Sequence, residues 1–480
     1  MITIDKLLTP KNEYSNIILV DEKTSLNHNL LSQEQEVYIN NQHRENKQNF
    51  FAFNNIHSWL IVAIFPIKKE EYKTMEELRK IGAKILDFLD THHISHINLI
   101  SKASKEETLS FVQGVVLSSY CFDDYKTDPQ RLVHPFDHIS IIHSDIEISD
   151  IEKLKIISTA VEKCKDLVNE PVCSLNATGL SEALTNLSLE AGIRVEVMHK
   201  KEIEHLKMGG LLAVNKGSVD EPTFTIMEYK PKGYKNKKPL LLVGKGIVYD
   251  TGGLNIKPGD YMEEMKTDMA GAAMMACAIY ACALLSLPVH IIGLFPATDN
   301  RPNGNAYASG DIINMYDGTN VEVVNTDAEG RMILADALAF AKQYNPALIV
   351  DAATLTGAAQ RAIGPFGCAV VQNNAEEFIN NMKEAGNLTY ERLAEFPFWE
   401  EYDQIIKSDI ADIKNSGEKY AGMISAGKFL AHFTSDFPFI HLDIAGVAYF
   451  EKKQNYYGYG ATGWGVRLMV EFIEKYFIQK

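Results

Sequence analysis

Apolar and polar positions along this chain follow two periods, and the changes of period mark its elements. In the first 150 residues, Trp59–Ile67 reads as a strand, Glu70–Leu89 as a helix, Ile97–Ile100 as a strand and Glu106–Ser119 as a helix. Such alternation predicts an α/β arrangement. Residues 21–50 are polar and rich in Asn, Gln and His, 124–137 read as loop, and a charged helical stretch begins at Ile151. Further on, Pro239–Val243 is a continuous apolar run, as in a strand buried on both faces. Ala270–Ala283 is rich in small residues and predicts a buried core helix. After the β-branched Val321, Val323 and Val324, apolar residues return at Leu334, Ala337, Leu338 and Ala341, the spacing of one helix face. Phe437–Leu442 reads as one more strand.

Charged residues collect where these elements end. Asp327, Glu329 and Arg331 lie where a strand hands over to a helix. Two carboxylates one residue apart are costly to bury unless a positive group lies between them. Acidic residues also cap helix starts and complement the dipole, so this segment alone leaves both readings open. Lys245 and Asp250 would emerge from the far end of the Pro239–Val243 strand, Lys257 follows Gly252 and Gly253, and Asp268 opens the small-residue helix. Four carboxylates at low dielectric raise one another's pKa and resist ionisation. Two divalent cations would reverse that penalty, and oxygen-rich ligation suits Mg, Mn or Zn. Two such ions, about 3.5–4 Å apart, can clamp and activate a water. The residues by themselves point to a dinuclear hydrolase of open substrate.

Asn325–Arg331 reads NTDAEGR and resembles the signature of the leucine aminopeptidases, also called cytosol aminopeptidases. Val243–Lys257 (VGKGIVYDTGGLNIK) resembles the same family's first metal segment. The likeness continues through Asp166–Pro171, Gly210–Ser218, Lys266–Ala272, Asp351–Gly357, His441–Gly446 and Gly460–Gly463, and covers about residues 160–475 in order. It implies a smaller N-terminal α/β domain (1–150), a connecting helix (151–172) and a catalytic domain (173–480) with a mixed central β-sheet flanked by helices. The implied activity is removal of N-terminal residues, Leu-like ones preferred, from peptides by a metal-bridged hydroxide.

By the same resemblance, Asp250 and Glu329 are shared by two metals, Asp327 completes one site, and Lys245 and Asp268 complete the other. Lys245 must then be neutral. Lys257 polarises the scissile carbonyl, and Arg331 holds a bicarbonate, or a water network, as general base. The substrate's free α-amine binds one metal. Met265, Thr354, Leu355, Gly357 and Ala445 fall where the family builds its side-chain pocket, although Met265 is read equally well as plain core. Manganese or zinc is the expected metal, with magnesium or cobalt as alternatives. A homo-hexamer is also implied, with the N-terminal domain in a regulatory or packing role. Two departures are Thr251 for the more common serine, and Ala308-Ser309-Gly310-Asp311 for a common Pro-Gly-Asp.

The 480-residue length suggests two or three domains. The net charge of −16 argues against nucleic-acid or anionic-membrane partners. Cys121, Cys164, Cys173, Cys277, Cys282 and Cys368 show no CxxC spacing and read as reduced thiols. No signal peptide is visible, and no apolar run is expected to reach the roughly 18 residues that span a bilayer. A cytoplasmic protein is the expectation. Gly458–Gly463 satisfies GxGxxG but lacks the βαβ context of a dinucleotide site. His92 and His96 are four residues apart, a spacing that can bind metal on a helix, but they read better as structural or solvated. HExxH and GxSxG are absent, which removes two other hydrolase types. His441 and Asp443, at a strand end, read either as supports of the site or as a polar pair holding a loop. A phosphoester hydrolase and a non-enzymatic protein on the same scaffold remain the alternatives.

Overall fold

Runs of β-branched and aromatic residues in the N-terminal part become six strands: β1 (Thr3–Lys6), β2 (Ser15–Asp21), β3 (Phe50–Asn54), β4 (Trp59–Phe65), β5 (His96–Ser101) and β6 (His138–Ile142). They form one sheet in the order β1-β6-β5-β2-β4-β3, parallel except where β3 runs against β4. The helices Glu71–Thr91 and Lys105–Ser118 pack together on it. The polar stretch 21–50 holds a helix, Gln33–Asn46, that its composition does not announce. Ser32 and Gln35 start it with a reciprocal capping box, and among its residues only Ile39 is buried, so little apolar period exists to be read. The computed structural model describes residues 2–26, 29–127, 135–417 and 419–478; positions 128–134 of the expected loop lie outside them.

The chain separates into two units, Met1–Thr159 with Lys453–Gly458, and Ala160–Lys452 with Tyr459–Lys480. The division falls inside the helix Ile148–Asn169.

The second unit is built on a nine-stranded mixed sheet. Its strands, with three short ones outside it, are β7 (Arg194–Met198), β8 (Thr223–Tyr229), β9 (Leu240–Gly244), β10 (Gly246–Asp250), β11 (Ile291–Asn300), β12 (Ile312–Asn314), β13 (Asn320–Glu322), β14 (Leu348–Ala353), β15 (Cys368–Asn373), β16 (Leu393–Glu395), β17 (Ile413–Lys414) and β18 (Phe439–Asp443). The order is β16-β15-β18-β14-β9-β11-β8-β7, with β10 also on β11. β18, β14, β9, β11 and β10 are mutually parallel, and β15, β8 and β7 supply antiparallel pairings. Leu240, Leu241, Leu242 and Val243 are fully buried, as the continuous apolar run of β9 requires. Each such side chain contributes roughly 1.5–3 kcal/mol relative to exposure. The expected strand at Val321–Val324 is the shorter β13, which joins β12 and β17 in a separate three-stranded sheet.

Two long buried helices flank the central sheet, Ala270–Leu284 and Glu329–Ala341. Met265–Leu284 corrects the expectation of no membrane-length run: it is long and apolar enough to cross a bilayer, with mean hydropathy 1.4. It is 94% buried, so its apolar length is that of a core helix. The fold is therefore α/β with a mixed central sheet. The carboxyl ends of its parallel strands converge on one side, where open α/β sheets present their sites.

Candidate active site

Lys245 follows β9, Asp250 ends β10, Asn300 ends β11 and Thr354 follows β14, so four strand ends deliver polar groups to one place. Asp268 does not open the small-residue helix but lies in the 3-10 turn Met265–Met269 before it. Asp327 arrives from the turn ahead of the helix Glu329–Ala341, and Glu329 from its first turn. Neither caps that helix: the capping position is Ala328, which makes no side-chain cap bond. Glu329 still lies in the first turn, where its charge complements the helix dipole.

Lys245 Nζ lies 2.7 Å from Asp268 Oδ2, 2.9 Å from Glu329 Oε1 and 3.0 Å from the Thr354 carbonyl oxygen. Lys257 Nζ lies 2.7 Å from Asp250 Oδ2 and 2.6 Å from Asp327 Oδ1. One oxygen from each of Asp250, Asp327 and Glu329 falls within 4.8 Å of the others. Thr354 Oγ1 donates to Asp268 Oδ1 at 2.7 Å. The structure thus brings together all seven charged residues singled out in the sequence except Arg331, whose guanidinium is tied elsewhere: its Nη1 donates to the Asn415 carbonyl at 2.8 Å.

Burial pushes the Glu329 carboxyl up to about 8, helped by Asp250 and Asp268 and opposed by the two lysines. Burial likewise raises Asp268 to about 6 and lifts Asp327 above the usual range. Burial works against the charge on Lys245 and Lys257, yet the surrounding carboxylates outweigh it and hold both well above their ordinary value. Burial lowers Arg331 to about 10, against the pull of Glu329 and Asp443.

Residues 162–470 match the catalytic domain of the cytosol aminopeptidase family. The chain belongs to the cytosol aminopeptidase family. It is 41% identical over 409 residues to a probable cytosol aminopeptidase of Geobacter sulfurreducens, covering 84% of this chain and 82% of that one. It is 42% identical over 428 residues to one of Chlorobaculum tepidum, covering 84% of each. Among solved structures it resembles the bottromycin maturation enzyme BotP, with a TM-score of 0.84 and 25% identity over 97% of this chain and 100% of that one. The same enzyme in complex with Mn gives a TM-score of 0.84 and 26% identity, over 96% of this chain and 99% of that one. The protein is accordingly a metal-dependent aminopeptidase, a hydrolase acting on peptides, of a family that works with two metal ions.

The donor set of this aminopeptidase fits such ions. Three buried carboxylates (Asp250, Asp268 and Glu329) and the half-buried Asp327 face two ammonium groups, an excess of negative charge that is expensive to bury without further cations. Glu329 Oε2 is buried with no hydrogen-bond partner. Asp268 Oδ2 and Asp327 Oδ1 touch lysine nitrogens at ion-pair distance but off the hydrogen-bonding direction. Such oxygens retain lone pairs for a metal.

Several supporting residues escaped the sequence reading. Asn300 Nδ2 donates to Asp250 Oδ1 at 2.9 Å and to the Thr326 carbonyl at 3.0 Å. Asn255 Oδ1 accepts from the Thr326 N–H at 2.8 Å and from Ser309 Oγ at 3.0 Å, tying the Lys257 segment to the NTDAEGR turn and to the loop that departs from the family pattern. Asn415 Oδ1 accepts from the Val324 N–H, and its carbonyl receives Arg331. Asn300 and Asn415 had one signal in the sequence, asparagine at the end of a strand, and Asn255 had none. Gly330 has a plainer cause: a Cβ there would stand 2.3 Å from Lys245 Cε, so the lysine stem occupies the space of a side chain.

Of the five expected pocket residues, Thr354 touches this centre, Thr354, Leu355 and Ala445 are half-buried, and Gly357, at the start of the next helix, is exposed. Met265 is half-buried on the turn that carries Asp268. His441 and Asp443 part company. His441 Nδ1 lies 2.9 Å from both Asp351 oxygens, with both side chains fully buried, whereas Asp443 accepts the Leu355 N–H. His92 and His96 do not form a metal pair: His92 stacks on Phe88 at a helix end, and His96 lies in β5. Gly458–Ala461 is a strand of a two-stranded ribbon with Tyr449–Gln454, not a phosphate-binding turn. All six cysteines are unpaired.

Proposed function

We propose that the protein is a leucine-type aminopeptidase in which Asp250, Glu329, Asp327, Lys245 and Asp268 hold two divalent cations. The observation that carries this is the meeting of Asp250, Asp327 and Glu329 oxygens within 4.8 Å, beside the buried Lys245 and the half-buried Lys257. When bound, the ions supply an activated water and electrophilic pull on the carbonyl. Lys245 would serve as a ligand only as the neutral amine, so its proton must leave when cations enter. Lys257, 16% exposed at its side chain, stands where an ammonium can donate to the carbonyl oxygen and stabilise the developing oxyanion. Arg331 keeps a buried Nε with no partner, a donor suited to bicarbonate or ordered water that would take the proton from the attacking water. Met265, Thr354, Leu355, Gly357 and Ala445 would line a pocket for a Leu-like side chain.

The same reading divides the chain into an N-terminal domain (1–150), a connecting helix (151–172) and a catalytic domain (173–480), supported by the catalytic-domain match over 162–470. It also makes the protein a cytoplasmic homo-hexamer, in keeping with the names of its relatives and the family resemblance. A native mass six times the 53.7 kDa chain is expected by light scattering; a monomer at micromolar concentration would refute it.

The metal is proposed as manganese or zinc. Chelated protein should lose hydrolysis of leucine p-nitroanilide, and Mn, Zn, Co or Mg added singly should rank the ions by recovered rate. Two ions bound per chain with no peptide turnover would turn the reading toward a phosphoester hydrolase or a non-enzymatic scaffold.

A further inference from the structure

The segment Thr354–Thr356, between β14 and the helix Gly357–Ile363, is held from two sides. On one side Thr354 touches the metal-site candidates, its hydroxyl on Asp268 at 2.7 Å and its carbonyl under Lys245 at 3.0 Å. On the other side stands Asp443, 1% exposed at the end of β18. Asp443 Oδ1 accepts the N–H groups of Leu355 at 3.2 Å, Thr356 at 3.3 Å and Ala445 at 3.3 Å, and Oδ2 accepts the Thr356 hydroxyl at 2.6 Å. Thr356 Oγ1 in turn accepts the Ala359 N–H at 3.1 Å, which starts the helix after Gly357. One buried carboxylate thereby fixes the backbone of both chain segments expected to wall the side-chain pocket.

We propose that Asp443 is a positioning residue that sets the depth of this pocket, and so the preference among N-terminal side chains. The inference rests on the leucine-type reading above. The Thr356 hydroxyl contact, at 2.6 Å, has the length of a hydrogen bond to a carboxylate charge, and the three longer N–H contacts add orientation. β14 and β18 are adjacent parallel strands with Ala353 opposite Asp443, so the anchor sits on the rigid sheet and not on a loop. Loss of one oxygen's acceptance leaves the turn free to shift. A hydrophobic pocket discriminates by only about 10–200-fold per methylene, and a loosened wall spends much of that.

The test compares kcat/KM for leucine and alanine p-nitroanilides in the metal-loaded full chain. Asp443→Asn should cut the leucine-to-alanine ratio by about 10-fold with both metals retained. Thr356→Val, which removes the hydroxyl donor alone, should cut it by roughly 3-fold, and Thr356→Ser should restore it. If Asp443→Asn does not fold, the Thr356 pair decides the matter. Equal losses for both substrates, with the ratio unchanged, would show a merely structural pin and overturn the inference alone. A wild type without leucine preference would overturn the leucine reading and this inference with it.

Discussion

Replacing Glu329 by glutamine is expected to stop hydrolysis of leucine p-nitroanilide, with kcat down by well over about 100-fold, since even outer partners of metal ligands are worth 10–100-fold. Glu329 is 1% exposed, its Oε1 meets Lys245 at 2.9 Å, and its Oε2 has no hydrogen-bond partner among the described residues. Glutamine keeps the shape but removes the charge and one acceptor oxygen, so the ligand proposed to be shared by two cations would fail at both. The chelated protein should respond in the opposite sense. Burial holds the Glu329 carboxyl up at about 8, above its ordinary 4.5. A group raised in this way favours the folded state fully below about 4.5, and that contribution is lost as pH rises through about 8. Chelated wild type should therefore melt at lower temperature at pH 8 than at pH 5, and Glu329→Gln should flatten this slope. Metal-loaded wild type should show a metal-dependent rise in Tm that the variant lacks. Retention of most activity with unchanged metal content would remove Glu329 from the ligand set.

Lys257→Ala should lower kcat by about 10²–10³-fold, the usual cost of one oxyanion donor, while KM moves only a few-fold. The lysine bridges Asp250 and Asp327 at 2.7 and 2.6 Å, so it neutralises the same carboxylates that would hold a cation. Its removal takes away a competitor for those oxygens, and metal content should be kept or rise. Measured together, full metal occupancy and a kcat-dominated loss would place Lys257 on the transition state. A loss confined to KM would assign it to substrate binding instead.

Elements that bury a whole face were legible in the sequence. Leu240–Val243 and the Glu329–Ala341 helix show it, because hydrophobic burial writes its period directly into residue type. Gln33–Asn46 was missed because a capping box and polar surface, not a buried stripe, sustain it. Val321–Val324 was extended too far because β-branched residues do not reveal which sheet they join. The charged members of the site were visible as a set, since no soluble core assembles four carboxylates without reason. Asn255, Asn300, Asn415 and the role of Asp443 were not visible. Their partners lie 71, 50, 84 and 87 residues away, and an isolated polar residue in sequence carries no mark of the backbone group it will meet.

The amino-acid sequence by itself determined the fold class, the buried strands and helices, and the chemical kinds of group available to the site, because these depend on local period and on what water rejects. Only the tertiary structure decided that Asp327 and Glu329 leave their helix uncapped to face Lys257 and Lys245, that Arg331 reaches Asn415, and that Asp443 grips the Leu355–Thr356 turn. Those choices depend on where parallel strands end relative to one another, and hydrogen bonds between ends distant in the chain are settled only when the sheet has formed.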